Sequence, residues 1–240
     1  MDSFLIALQF LTRIPVSYPF IADDDALGRS VLYYPLVGFV IGVLLSILAL
    51  LLSGSPDMLA AAVVLSAWVG LTGGLHLDGL ADCADAWVGG LGNRQRSLQI
   101  MKDPAAGPIA VLALLLVLLL KWAAVLVLIQ QNNLICLMLA PLLGRSAILV
   151  LMLSTPYVSP RGLAEKILQH LPFSDARWVL LISLAFAGMI MGWFNVLLAG
   201  FLLLWIRYAA ITRLGGVTGD VYGAAVELVE TAVLLAVVLL

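Results

Sequence analysis

Residues 178–206 read WVLLISLAFAGMIMGWFNVLLAGFLLLWI. No charged side chain interrupts the run, so it belongs in lipid or in a protein core rather than in water. As one helix it would extend about 43 Å, against an apolar bilayer thickness of about 30 Å. Either it is one overlong helix or it is two short ones broken near Gly192-Trp193-Phe194-Asn195. The choice fixes how many times the chain crosses a membrane, and therefore on which side the polar loops lie.

The rest of the chain shares this character. Of 240 residues, 63% are hydrophobic and only 11% charged, and the mean hydropathy is +1.14. Such values mark a membrane-embedded chain, here read as one domain over 1–240. Further spans fall at 31–52, 58–75, 108–130, 134–153 and 224–240. The apolar run from Phe4 to Leu11 is too short to cross, so it lies in the interface or packs on the bundle. The opening MDSFLIALQFLTRIP lacks the basic start and cleavage site of a signal peptide. Cys83 and Cys136 make no disulfide framework. With 12 basic and 14 acidic residues the chain has no basic excess for a nucleic-acid partner.

The positive-inside rule decides the count. With seven spans and a cytoplasmic N-terminus, one side receives 1–30, 76–107, 154–177 and 207–223. Those segments hold Arg13, Arg29, Arg94, Arg96, Lys102, Arg161, Lys166, Arg177, Arg207 and Arg213, ten of the twelve basic residues. Six spans would send Arg207 and Arg213 to the other side. The sequence thus predicts an all-α, polytopic bundle of about seven transmembrane helices with its motif-bearing loops in the cytoplasm. The stretch 161–172 is expected to be an amphipathic surface helix.

Within so apolar a chain, GGLHLDGLADCADAW at 73–87 clusters Asp78, Asp82 and Asp85. On a helix the three share an arc of about 60°. They make a solvated acidic face capped by Asp78, or a site for Mg²⁺ or Mn²⁺, which take a few carboxylates and leave room for water and phosphate. The apolar Leu77, Leu80, Ala81 and Trp87 around them favour the metal. His76 would point about 160° away and joins the carboxylates only if the helix starts after it. It is a structural or a catalytic histidine, and with no second histidine nearby it is no zinc ligand.

Lys102 and Asp103, just before Pro104, read as phosphate or metal contacts, whereas Arg94 and Arg96 satisfy the positive-inside rule. Arg145 lies well inside a span, where an unpaired cation is expensive. Its partner is an anionic diphosphate or a structural carboxylate. Lys121 can snorkel outward and is read as structural. A second polar block, GGVTGDVYGAAVELVE at 215–230, offers glycine turns at Gly215 and Gly216, and oxygen ligands at Thr218 and Asp220. Asp220 and Glu227, seven apart, share a helix face.

These segments together resemble the cobalamin synthase (adenosylcobinamide-GDP ribazoletransferase) family. The likeness lies in GGLHLDGLADCADAW, in LQFLTRIPV at 8–16 and YYPLVGFVIG at 33–42, and in MKDPAAGPIAV at 101–111, GRSA at 144–147 and GGVTGDVYGA at 215–224. Cys83 and Ala86-Trp87 depart from the threonine and glycine of that pattern without removing an aspartate. The resemblance implies that a hydroxyl of α-ribazole, or of its 5′-phosphate, attacks the diphosphate of adenosylcobinamide-GDP and expels GMP, with Mg²⁺ as cofactor. It implies a metal on Asp78, Asp82 and Asp85, and a catalytic group of His76, Asp82, Lys102 and Arg145, with one aspartate or His76 as base. Asp103, Arg145, Gly216, Thr218 and Asp220 would bind substrate. The expected setting is a prokaryotic inner membrane, with lipid, a second copy or other cobalamin-assembly enzymes as partners. Two other readings compete. A CDP-alcohol phosphotransferase shares the Asp-Gly start, but not the arginine and wider aspartate spacing of its motif. A cation-coupled transporter would show mid-membrane carboxylates and internal repeats, and no repeat is visible.

Overall fold

The computed structural model describes residues 2–16, 23–159 and 162–240. Arg161, one of the ten basic loop residues, and the start of the expected surface helix at 161 lie outside them. The described chain is helical, with one isolated parallel bridge between Tyr157 and Val217.

The overlong run of 178–206 is two helices, α10 (Phe173–Met191) and α11 (Trp193–Leu214) in the numbering used below. Gly192 separates them at φ 87°, a backbone setting that favours glycine. Neither helix is short, because each extends past the apolar run, to 19 and 22 residues, enough for a full crossing.

Before them come α1 (Asp2–Leu11), α2 (Asp24–Ser30), α3 (Tyr34–Leu51), α4 (Asp57–Thr72), α5 (Leu75–Gly89), α6 (Arg94–Ile100), α7 (Pro108–Gln130), α8 (Leu134–Ser154) and α9 (Leu163–Gln169). The last is α12, Gly219–Leu239, which starts five residues earlier than the expected span at 224. Among the described residues six segments are long and apolar enough to cross a membrane: Asp24–Leu51, α7, α8, α10, α11 and α12.

α4 is the first limb of a seventh candidate span, which is long and apolar enough only together with α5. Its 16 residues reach about 24 Å, after which the chain bends by 88° into α5. Gly73 and Gly74, at φ 63° and 71°, make that bend. Contacts fix α4 at its two ends. The Trp122 indole of α7 donates to the Met58 carbonyl (3.4 Å) at one end. At the other, the Arg13 amide donates to the Leu71 carbonyl (2.7 Å). The motif loops then gather at the Leu71 end. Arg213 Nη1 donates to the Trp87 carbonyl (2.7 Å), and Val217 pairs with Pro156 and Val158.

The bundle is layered around α8 and α12, which are largely enclosed, while α7, α10 and α11 turn most of their length outward. Outward residues such as Leu116, Leu181, Met189, Leu197, Phe201 and Leu204 are the apolar belt expected against lipid. α3 packs along α8, with Gly38 and Gly42 lying directly on the backbone of Pro141 and Met138. The N-terminal run packs on the bundle, its Ala7 and Leu11 wholly buried. The amphipathic stretch is shorter than expected: α9 has seven residues and buries Ile167.

Candidate active site

Asp78, Asp82 and Asp85 ride on α5, which turns across the motif end of the bundle. α5 crosses α12 at two glycines. A Cβ on Gly79 would sit 2.7 Å from the Asp220 carbonyl oxygen, and one on Gly223 would sit 3.2 Å from the His76 Cα. Only glycine allows so close an approach, and the approach brings Asp220 to the aspartates of α5. The four carboxylates act on one another: Asp82 lies in the field of Asp220, Asp78 and Asp85. Thr218 caps α12 by accepting from the Val221 amide (3.3 Å), and its hydroxyl donates to Asp220 Oδ2 (3.2 Å). Gly216 packs on the Pro156 carbonyl, holding this turn against the loop after α8.

Asp85 has a distinct task. Its oxygens accept from the Gly107 amide (2.5 Å) and the Ala110 amide (2.9 Å), satisfying the free N–H groups at the start of α7. This ties the loop bearing Lys102 and Asp103 to α5. Both of those side chains are exposed, and Asp103 closes a local turn by accepting from the Ala105 amide (3.0 Å). Arg94, read from the sequence as a topology signal, lies over Gly215 beside this site.

His76 is inside α5, which starts at Leu75, so the early helix break that would swing it toward the aspartates does not occur. Its Nδ1 faces Arg145 Nη2 at 3.4 Å. An arginine only donates, so Nδ1 accepts and the proton of the neutral ring sits on Nε2. The imidazole therefore offers a donor rather than a base.

Arg145 is wholly buried, and its Nη1 donates to Glu230. Of the two partners open to it in the sequence, the structure pairs it with the carboxylate. Lys121 does not snorkel: it is 2% exposed. Its ammonium donates to Glu227 (2.6 Å) and Glu230 (2.5 Å) and sits 4.5 Å from the centre of the Trp68 ring. Two cations and two carboxylates thus neutralise one another in mid-bundle. Glu227 stands about 10 Å deeper along α12 than Asp220, so the two share a face but not a site.

A cavity of about 210 Å³ opens beside the crossing. Its walls include the polar His76, Asp78 and Asp220 and the apolar Phe10, Ile148 and Met152. α9 covers it with Leu163 and Ile167. Sequence reading missed Tyr222, which also lines the cavity, because a tyrosine on an apolar helix carries no signal until its neighbours are known. The Tyr222 hydroxyl is buried with no hydrogen-bond partner among the described residues. Its ring stacks on Tyr157, with centroids 6.2 Å apart and planes 11° from parallel.

The residues suit a hard divalent cation in a limited way. Among the described residues no three His, Cys, Asp or Glu side chains form a ready-made cage. Mg²⁺ needs none, since it is commonly held by one or two carboxylates with water and substrate phosphate. Asp78 and Asp220, both on the cavity wall, offer that donor set, all oxygen.

Comparison with known proteins finds relatives along the whole chain. The family model described as cobalamin-5-phosphate synthase matches residues 3–238. An adenosylcobinamide-GDP ribazoletransferase of Pseudomonas putida (strain GB-1) is 55% identical over 239 residues, covering 100% of this chain and 99% of that protein. One from Pseudomonas savastanoi pv. phaseolicola is 54% identical over the whole of both chains, and one from Pseudomonas aeruginosa is 52% identical over 100% of this chain and 98% of its own. No solved structure matches.

Proposed function

The chain belongs to the cobalamin-5-phosphate synthase family, and from that premise we propose how its residues carry out the reaction. The protein is an adenosylcobinamide-GDP ribazoletransferase. A hydroxyl of α-ribazole, or of its 5′-phosphate, bonds to the cobinamide-side phosphorus of the diphosphate. The P–O bond to GMP breaks, and GMP leaves with the bonding electron pair. The hydroxyl proton passes to Asp82, the carboxylate of the cluster left free of the metal, because the tautomer of His76 leaves that ring a donor. Mg²⁺, which Asp78 and Asp220 would hold together with water and substrate phosphate, would neutralise charge on the diphosphate and on the leaving phosphate. Lys102, on the loop after α6, and Arg94, at the start of α6, supply further positive charge for the phosphates. Arg145 orients His76 from behind. Mid-bundle charge is the feature that would favour an ion-coupled transporter, but here Lys121 and Arg145 neutralise it.

The observation that carries this reading is the crossing of α5 and α12 at Gly79 and Gly223, which sets Asp78 and Asp220 on one wall of a cavity. The site faces the cytoplasm of a prokaryotic inner membrane, since the motif end holds the basic loops. A reporter fused after Leu240 should therefore read as external.

The test is reconstitution. Purified protein given adenosylcobinamide-GDP, α-ribazole and Mg²⁺ should release GMP and form adenosylcobalamin. EDTA should stop the reaction and excess Mg²⁺ restore it. Asp78→Asn and Asp82→Asn should each abolish turnover in a folded protein. A folded protein that makes no cobalamin, but forms CMP from CDP-linked substrates, would refute the assignment.

A further inference from the structure

Resting on the ribazoletransferase reading, we infer that the cavity beneath α9 is the acceptor subsite: it holds the benzimidazole ring of ribazole, with the Tyr222 hydroxyl donating to the free ring nitrogen. Three observations converge on this. The first is size. At about 210 Å³ the cavity is below the range of about 300–1,000 Å³ typical of whole-ligand sites. It takes one flat fragment, not a corrin. The second is chemistry. Phe10, Ile148, Met152, Leu163 and Ile167 present apolar surface, and the stacked Tyr157–Tyr222 pair adds an aromatic side. The third is the orphan donor: Tyr222 is 5% exposed and its hydroxyl has no partner among the described residues. A buried polar group in that condition is costly, so a ligand that satisfies it gains affinity.

The reaction brings two planar bases to the site, the benzimidazole of ribazole and the guanine of GDP. Guanine presents N1–H and N2–H₂ donors that call for a carboxylate, and the carboxylates on these walls, Asp78 and Asp220, are committed to the metal in that reading. The benzimidazole of a ribazole has one nitrogen glycosylated and one free lone pair. One acceptor meets one orphan donor. Asp78 and Asp220 on the adjoining wall then place the attached ribose at the carboxylates, where its hydroxyl must react.

Steady-state kinetics with each substrate varied separately tests this in the full-length protein. Tyr222→Phe keeps the ring and removes only the hydroxyl. It should raise KM for α-ribazole by about five- to tenfold, the value of one buried hydrogen bond. KM for adenosylcobinamide-GDP and kcat should stay within about twofold. Free 5,6-dimethylbenzimidazole should inhibit the unmodified enzyme competitively against α-ribazole, and more weakly in Tyr222→Phe. A rise in KM confined to adenosylcobinamide-GDP, or competition by free guanosine but not by dimethylbenzimidazole, would assign the cavity to the donor and overturn the proposal while leaving the reaction standing. An unchanged Tyr222→Phe enzyme would also overturn it. Absence of GMP release in the unmodified enzyme would instead remove the reading on which the proposal rests.

Discussion

Glu230→Gln should unfold this protein more readily than any exposed substitution. Glu230 accepts from both Arg145 and Lys121 and is wholly buried. In the native cluster, two cations face Glu227 and Glu230. Replacing Glu230 by its amide leaves one net positive charge sealed in the bundle. Removing one member of a buried pair costs about 3–5 kcal/mol, which is about a 150- to 5,000-fold change in the folded-to-unfolded ratio. Against a total stability of about 5–15 kcal/mol, that is a large share. Unfolding in mixed micelles as the SDS fraction rises, followed by the fluorescence of the six tryptophans, would measure it. The double variant Arg145→Met with Glu230→Gln restores neutrality, leaving Lys121 with Glu227. Its destabilisation should fall short of the sum of the two singles by about 1–3 kcal/mol. Additivity within about 0.5 kcal/mol would show that the four side chains do not act as a unit.

Three further outcomes follow from the same geometry. His76→Gln, whose amide can donate from the place of Nε2, should retain at least about tenfold more turnover than His76→Ala, and equal loss in both would restore the ring as a general base. Asp85→Asn should lower stability by about 0.5–2 kcal/mol through a weakened hold on the start of α7, yet keep measurable turnover, whereas Asp78→Asn should do the reverse; thermal scans in detergent and GMP release separate the two. Gly79→Ala places a methyl against the Asp220 backbone and should cost about 1–3 kcal/mol with loss of activity, while the same change at Gly54, which has open space, should be neutral in both assays.

What the sequence made legible was what local rules determine. Two helices within 178–206 could be expected because a break somewhere near Gly192–Asn195 kept ten basic residues on one side, and the structure puts it at Gly192. The aspartate face of α5 followed from helical angles alone. Depth did not follow. A helical wheel puts Glu227 with Asp220, but the rise along α12 sends one into the ion cluster and leaves the other at the cavity. The partners of Arg145 and Lys121 were hidden for a related reason. Glu230 lies 85 and 109 positions away from them, and only the packing of α7, α8 and α12 brings them together. The tautomer of His76 likewise depends on a neighbour from another helix. Asp85 looked like its fellow aspartates because nothing in its spacing shows that the start of α7 comes to rest on it.

The ion cluster also bears on how the protein is made. Lys121 and Arg145 sit near the middle of α7 and α8, and both carboxylates that neutralise them belong to α12, which is synthesised later. During biogenesis each cationic helix must enter the bilayer, or wait at the insertion machinery, at a cost of about 2.5–3.5 kcal/mol for its unpaired charge. Arrival of α12 removes that cost and, in the same step, delivers Asp220 and Tyr222 to the aspartates of α5. Neutralisation of the buried cations and assembly of the proposed catalytic centre are thus a single event.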